Sequence, residues 1–161
     1  MIEIGIDCRS PLWRKLGEEV AGAADRAARA ALSDTAASKP VDCEMSIVLA
    51  DDAFVRELNR DYRHIDKPTN VLSFPAEDDD ATGPRLLGDV VLAFETLLRE
   101  AADEGKSALD HLAHLVVHGT LHLLGYDHEE AQEAEEMEAL ERKILAGLGI
   151  ADPYQAEPGR G

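Results

Sequence analysis

Long apolar runs are missing from this sequence. No stretch approaches the roughly 18 consecutive apolar residues of a membrane-spanning helix. The first residues, MIEIGIDCRSPLWRKLGEEV, lack the basic start and apolar run of a secretory leader. Cysteine is scarce. Cys8 and Cys43 are far apart and form no metal-type spacing, so they read as a buried thiol pair in a reducing compartment. A cytoplasmic location is therefore expected, with no membrane partner. Positive charge is also short. Sixteen Lys and Arg stand against 33 Asp and Glu, for a net charge of −17, which argues against nonspecific binding to nucleic acid. No Gly-rich phosphate loop is present, which argues against a nucleoside triphosphatase.

What remains is the composition of a folded soluble protein, 45% apolar and 30% charged. At 161 residues the chain suits one domain with a real core. We expect that domain over residues 1–148 and a loose tail over 149–161, where Gly and Pro recur. The charge is uneven. Asp78, Asp79 and Asp80 form one acidic cluster, and residues 127–141 (DHEEAQEAEEMEALE) form another that reads as a solvated helix face. By contrast, Arg56, Arg60, Arg63, His64 and Lys67 crowd into one short stretch. A local basic surface of that kind can bind a polyanion on an otherwise acidic chain.

The periodicities alternate between strand and helix. Ile2, Ile4 and Ile6 alternate with polar residues or Gly, predicting a strand over 2–7. Ser10-Pro11 predicts a helix start, with an Ala-rich helix to about Leu32. Residues 44–50 predict a strand, and Asp51 caps a helix to about Tyr62. Short strands follow at VLSF and LGDVVLAF, then a helix to about Asp103. Ser107 with Asp110 caps a helix over 108–124, which Gly125 stops, and a final helix covers 129–147. This is a mixed α and β arrangement with one sheet covered by helices. Trp13 and Phe94 are expected in the core.

The chemistry concentrates in SALDHLAHLVVHGTLHLLGYDH. On a helix His111, His114, His118 and His122 share one face within roughly ±60°. Leu112, Ala113, Val116, Val117, Leu123 and Leu124 occupy the other. Zinc needs ring nitrogens converging at about 2 Å, and histidines at i and i+4 can supply them. Both His114–His118 and His118–His122 qualify. Gly125 permits a reversal that returns His128, which favours His118, His122 and His128 as the ligand set. His114 is next best, as a support, a substrate contact or a general base, with His111 further along the groove. Asp127 caps the last helix or orients a ligand histidine. Three histidines without a fourth protein ligand leave a coordination position open, the mark of a catalytic site. The H-x3-H-x5-H spacing with its Gly matches the metzincin layout. The Glu that serves those peptidases as general base is replaced here by Gly119, which argues against a peptidase. Asp89 is open between a structural strand acid and a reach to the metal helix, and Ser73 between a strand residue and a cleft wall.

HGTLHLLGYDH resembles the signature of the YbeY endoribonucleases, the ribosomal RNA maturation factors. YRHIDKPTNVLSFP and LLGDVVLA agree with it, and the resemblance covers roughly residues 44–145. Asn70 departs from it, standing where the usual TDVLSF has Asp. The resemblance implies an α+β fold related to the zincins: a single mixed sheet of about four strands packed with helices, one of them a zincin-like metal helix. It implies one Zn2+ per chain on His118, His122 and His128, and Arg63 as a contact to substrate phosphate. The implied activity is cleavage of single-stranded RNA, in maturation of the small-subunit ribosomal RNA 3′ end and in ribosome quality control. Implied partners are ribosomal RNA, small-subunit ribosomal proteins and an assembly GTPase. Zinc polarises phosphoryl oxygens and Arg offers a planar fork to phosphate, and neither effect needs the missing Glu. The competing expectation is a non-catalytic assembly factor in which zinc only shapes a protein-binding surface.

Overall fold

The computed structural model describes residues 2–34, 42–76, 85–126 and 130–153. Four strands form one mixed sheet: β1 (Ile2–Cys8), β2 (Cys43–Ala50), β3 (Val71–Pro75) and β4 (Arg85–Ala93). Their order is β1-β2-β4-β3. β1, β2 and β4 run parallel, while β3 returns antiparallel along β4 and ends at Pro75, the edge position a strand proline tolerates. Among the described residues there are five α-helices: α1 (Glu19–Asp34), α2 (Asp52–Arg63), α3 (Phe94–Glu104), α4 (Ala108–Leu123) and α5 (Ala131–Gly147). The expected α+β architecture with a single four-stranded sheet is present. No helix among the described residues is long and apolar enough to cross a membrane.

Alternation decides which face of the sheet is covered. In β2, Cys43, Met45, Ile47 and Leu49 are buried, and they join Leu87, Val90 and Leu92 of β4 in the main core. α1 and α4 close that face. Ala24, Ala27, Ala28 and Ala31 are fully buried on α1, and their small side chains let it lie close on α4. A smaller cluster on the other face, around Val55, Leu72 and Val91, seats α2.

Local capping sets the helix ends. The Asp51 carboxylate accepts from the Phe54 amide at 2.9 Å, as its position predicted. The α2 and α3 starts also cap each other. Asp52 accepts from the amide and hydroxyl of Thr96, while Glu95 accepts from the Asp52 amide. The Ser107 hydroxyl accepts from the Asp110 amide at 3.1 Å.

Two expectations need correction. The helix expected from Ser10 to Leu32 is two pieces: a 3-10 turn, Pro11–Leu16, and then α1, with the break at Gly17. The 3-10 turn aims Trp13 into the core, 2% exposed, where its indole N–H donates to the Ala50 carbonyl at 2.8 Å. The ring meets Phe94 edge-on at 5.1 Å. The second correction concerns the thiols. Cys43 is buried but Cys8 is exposed, its Sγ–H donating to the Ser10 carbonyl. The acidic cluster Asp78–Asp80 lies outside the described residues, as does most of the expected tail. The tail's first residues pack down: Ile150 donates its amide to the Leu145 carbonyl and touches the core.

Replacing Trp13 by Phe removes the indole N–H that donates to the Ala50 carbonyl while keeping an aromatic ring. We expect Trp13→Phe to lose about 1–3 kcal/mol of stability, read from urea unfolding followed by circular dichroism.

Candidate metal centre and cleft

α4 is the central element of the site. It runs between the sheet and helices α1, α3 and α5. Its close approach to the sheet is fixed at Gly119. A Cβ there would meet Val90 Cγ1 at 2.7 Å and Ser73 Oγ at 3.1 Å. The Ser73 hydroxyl donates to the Gly119 carbonyl at 3.0 Å, tying β3 to the helix. So the position that carries the peptidase Glu in metzincins has no room here for any side chain. Ser73 thereby takes a cleft-wall role as well as a strand one.

α4 ends where the sequence predicted. Gly125 adopts φ 99°, and the chain closes a Schellman-type turn: the Tyr126 amide donates to the Leu121 carbonyl and the Gly125 amide to that of His122. The backbone therefore leaves the helical path at Gly125, three residues after His122. His128 and Asp127 lie outside the described residues.

The histidine face divides in two. His118 and His122 line a cleft of about 840 Å³, together with Arg63, Thr69, Asn70 and Ser73. Their Nε2 atoms stand 3.1 Å apart. Two imidazole nitrogens on one tetrahedral zinc, each at about 2.0–2.1 Å, would be separated by roughly 3.3 Å. The pair therefore fits a shared metal ion. Among the described residues no group of three or more His, Cys, Asp or Glu side chains makes a complete metal site. Completion would fall to a group outside them, as His128 is.

His111 and His114 do not face this cleft. His111 is 2% exposed, its Nε2 2.8 Å from Glu100 Oε1. Burial pushes its pKa down, against the opposing pull of the Glu100 hydrogen bond, so the ring is neutral and donates from Nε2. Its expected place further along the groove is therefore corrected. His114 turns to α5, with Nε2 2.9 Å from Glu141 Oε1.

Glu141 is the residue the sequence reading missed, having been placed on a solvated face. It is 1% exposed and its Oε1 also lies 3.3 Å from His118 Nδ1. Burial alone would raise its pKa. The hydrogen bonds from His114 and His118, and their charge, outweigh burial and carry it to about 2. An ionised carboxylate only accepts. His118 therefore donates from Nδ1 to Glu141, and in the neutral ring that tautomer leaves the Nε2 lone pair aimed at His122 and the cleft. This is the carboxylate–histidine arrangement that orients metal-binding imidazoles. A signal existed in the sequence. Met137, Glu141, Ile144 and Leu145 follow the i, i+4, i+7, i+8 spacing of one buried stripe, and a lone carboxylate in such a stripe needs a partner.

Other groups shape the rim. The Asn70 amide donates to both Glu100 oxygens, at 3.1 and 3.3 Å. A carboxylate at position 70 would face that of Glu100. Asn59, buried beneath the loop after α2, donates to the Lys67 carbonyl and holds the segment that joins Arg63 to Asn70. The basic stretch is thinner than its composition suggested, since Arg56 pairs with Asp66 at 2.8 Å and Arg60 with Asp61 at 3.3 Å. Arg63, on the last turn of α2, has no ion pair among the described residues and lines the cleft. Asp89 points away from α4, onto the other face of the sheet, and accepts from the Ser46 hydroxyl at 2.7 Å.

A profile of the family described as endoribonuclease YbeY matches residues 14–149. The chain belongs to the YbeY endoribonuclease family. An endoribonuclease YbeY of Azorhizobium caulinodans is 56% identical over 156 residues, covering 95% of this chain and 96% of the relative. That of Paramagnetospirillum magneticum is 53% identical over 158 residues, with 95% and 96% covered. A solution structure of a Thermotoga maritima protein shares the fold at a TM-score of 0.50 and 22% identity, covering 97% of this chain and all of the other. The match to the YbeY family reaches back through α1 and β2, well before the histidine signature.

Two outcomes are expected here. Glu141→Gln should keep the fold and weaken metal affinity about 10- to 100-fold, measured by competition with a chromophoric chelator. Gly119→Ala should destabilise the chain by about 1–3 kcal/mol, seen as a lowered Tm.

Proposed function

We propose that this chain is a zinc-dependent endoribonuclease that cleaves single-stranded RNA. The carrying observation is the convergence of His118 and His122 in a cleft that also presents Arg63. Membership of the YbeY family supports the same reading. In this proposal His118, His122 and His128 hold one Zn2+ per chain. Bound there, the ion would supply Lewis acidity toward a phosphoryl oxygen. Glu141 holds His118 in the ligating tautomer. Arg63 binds the substrate phosphate through its guanidinium fork. His114 is the candidate proton acceptor. Its ring is linked to the cleft through the Glu141 carboxylate that it shares with His118.

The physiological reading is maturation of the small-subunit ribosomal RNA 3′ end and ribosome quality control, in the cytoplasm. The proposed partners are ribosomal RNA, small-subunit ribosomal proteins and an assembly GTPase. The net charge of −17 supports docking to basic ribosomal proteins, and it leaves RNA to be held by local cations such as Arg63. Residues 1–148 act as one domain in this reading.

The test separates binding of the metal from binding of RNA. His118→Ala should lose both zinc and cleavage. Arg63→Ala should retain zinc while cleavage of single-stranded RNA falls on the order of 100-fold. Metal content by mass spectrometry and cleavage of a labelled oligonucleotide, run on the same folded samples, decide it. Full metal and full activity in His118→Ala would overturn the ligand assignment, and an unchanged rate in Arg63→Ala would remove its role.

A further inference from the structure

Tyr62 is the most exposed large hydrophobic side chain among the described residues, at 69%. It sits on the last turn of α2, between Asp61 and Arg63. Its ring is not loose. It meets Phe74 of β3 in an edge-on contact, centroids 5.4 Å apart and planes at 65°. The pair forms a wall between two depressions. On one side is the cleft of His118, His122 and Arg63. On the other is a groove of about 330 Å³ between α2 and the outer face of the sheet.

The two sides differ in chemistry. The groove is floored by Val48, Leu58 and Val91 and flanked by Phe54. Its charges are one of each sign. The Arg9 guanidinium lies 5.7 Å from the Phe54 ring centre and pairs with Asp7, and Asp89 is bonded to Ser46. A phosphate placed there would meet the Asp89 carboxylate and a cation already neutralised. A flat ligand with apolar faces and a polar edge fits better. The cleft, by contrast, offers the Arg63 guanidinium. A strand crossing the Tyr62–Phe74 wall would thus keep its phosphate beside Arg63 and turn a base outward over the aromatic pair.

We propose that Tyr62, braced by Phe74, is a base-stacking platform, and that the groove beyond it receives the nucleobase adjoining the phosphate held at Arg63. This rests on the ribonuclease reading above. Stacking on an exposed aromatic is how unpaired bases are gripped without sequence preference. A duplex, whose bases are already stacked, cannot use it. The platform therefore makes the cleft selective for single strands.

The test uses the zinc-loaded full chain and a fluorescein-labelled single-stranded decamer with 2′-O-methyl riboses, read by fluorescence anisotropy. Tyr62→Ala should weaken binding about tenfold, the scale of one lost base stack. Tyr62→Phe should bind like the wild type. Zinc content and circular dichroism should match in all three, since the side chain is on the surface. A decamer of abasic residues should bind wild type and Tyr62→Ala equally. Equal binding of the normal decamer by wild type and Tyr62→Ala would overturn the platform and leave the ribonuclease reading standing. An equal loss on the abasic decamer would assign Tyr62 to the backbone or to another ligand and would also overturn it. Failure of the wild type to bind the normal decamer at all would overturn both readings.

Discussion

The close seating of α4 on the edge of the sheet governs the rest of the architecture. The helix rests on β3 and β4 with no side chain between them at Gly119, and Ser73 bonds its carbonyl from the strand. That contact fixes the height of the helix, and with it the height of His118 on one side of Gly119 and His122 one turn further on. Because α4 is also packed by α1, α3 and α5, a shift at this contact would propagate into the main core. The same contact rules out peptidase chemistry of the metzincin kind, because a general-base Glu cannot be fitted where Val90 already lies.

A second constraint acts from the opposite side. Glu141 places a carboxylate in the core, which is costly unless charge and hydrogen bonds compensate. His114 and His118 supply them. Glu141 therefore links α5 to α4 and selects the tautomer of His118. Stability and function are coupled at this point, since the group that stabilises the buried charge is the group that presents a lone pair to the cleft. Glu100 repeats the pattern with His111, and extends it to Asn70 on the cleft rim.

Much of the fold was legible in the residues. Alternation marked β1, Asp51 and Ser107 marked their helix starts, and Gly125 marked the end of α4. These signals are local, and local chemistry decides them. The two-piece start of α1 was not legible, because Ser10-Pro11 opens a 3-10 turn as readily as an α-helix. The histidine face was legible as a face. Its division, with His118 and His122 lining the cleft and His111 and His114 set back from it, was not, because that depends on Glu100 and Glu141 arriving from other helices. Glu141 did leave a trace, as a charge inside an apolar stripe. Cys8 left none: a thiol on an edge strand reads like any small hydrophobe, and its exposure follows from where the sheet ends. The basic stretch around Arg56 was overread, since the acids that neutralise Arg56 and Arg60 are its own near neighbours, Asp66 and Asp61.

The central claim is that the convergent histidines exist to hold a catalytic metal. The most direct measurement follows the metal content of the purified wild-type chain alongside its cleavage of single-stranded RNA, before chelation, after chelation, and after zinc is restored. The account predicts about one zinc per chain at the outset, loss of metal and cleavage together, and recovery of both while the chain stays folded throughout. Cleavage that persists in the fully stripped, folded chain would contradict it. So would zinc that binds and leaves without any change in the RNA.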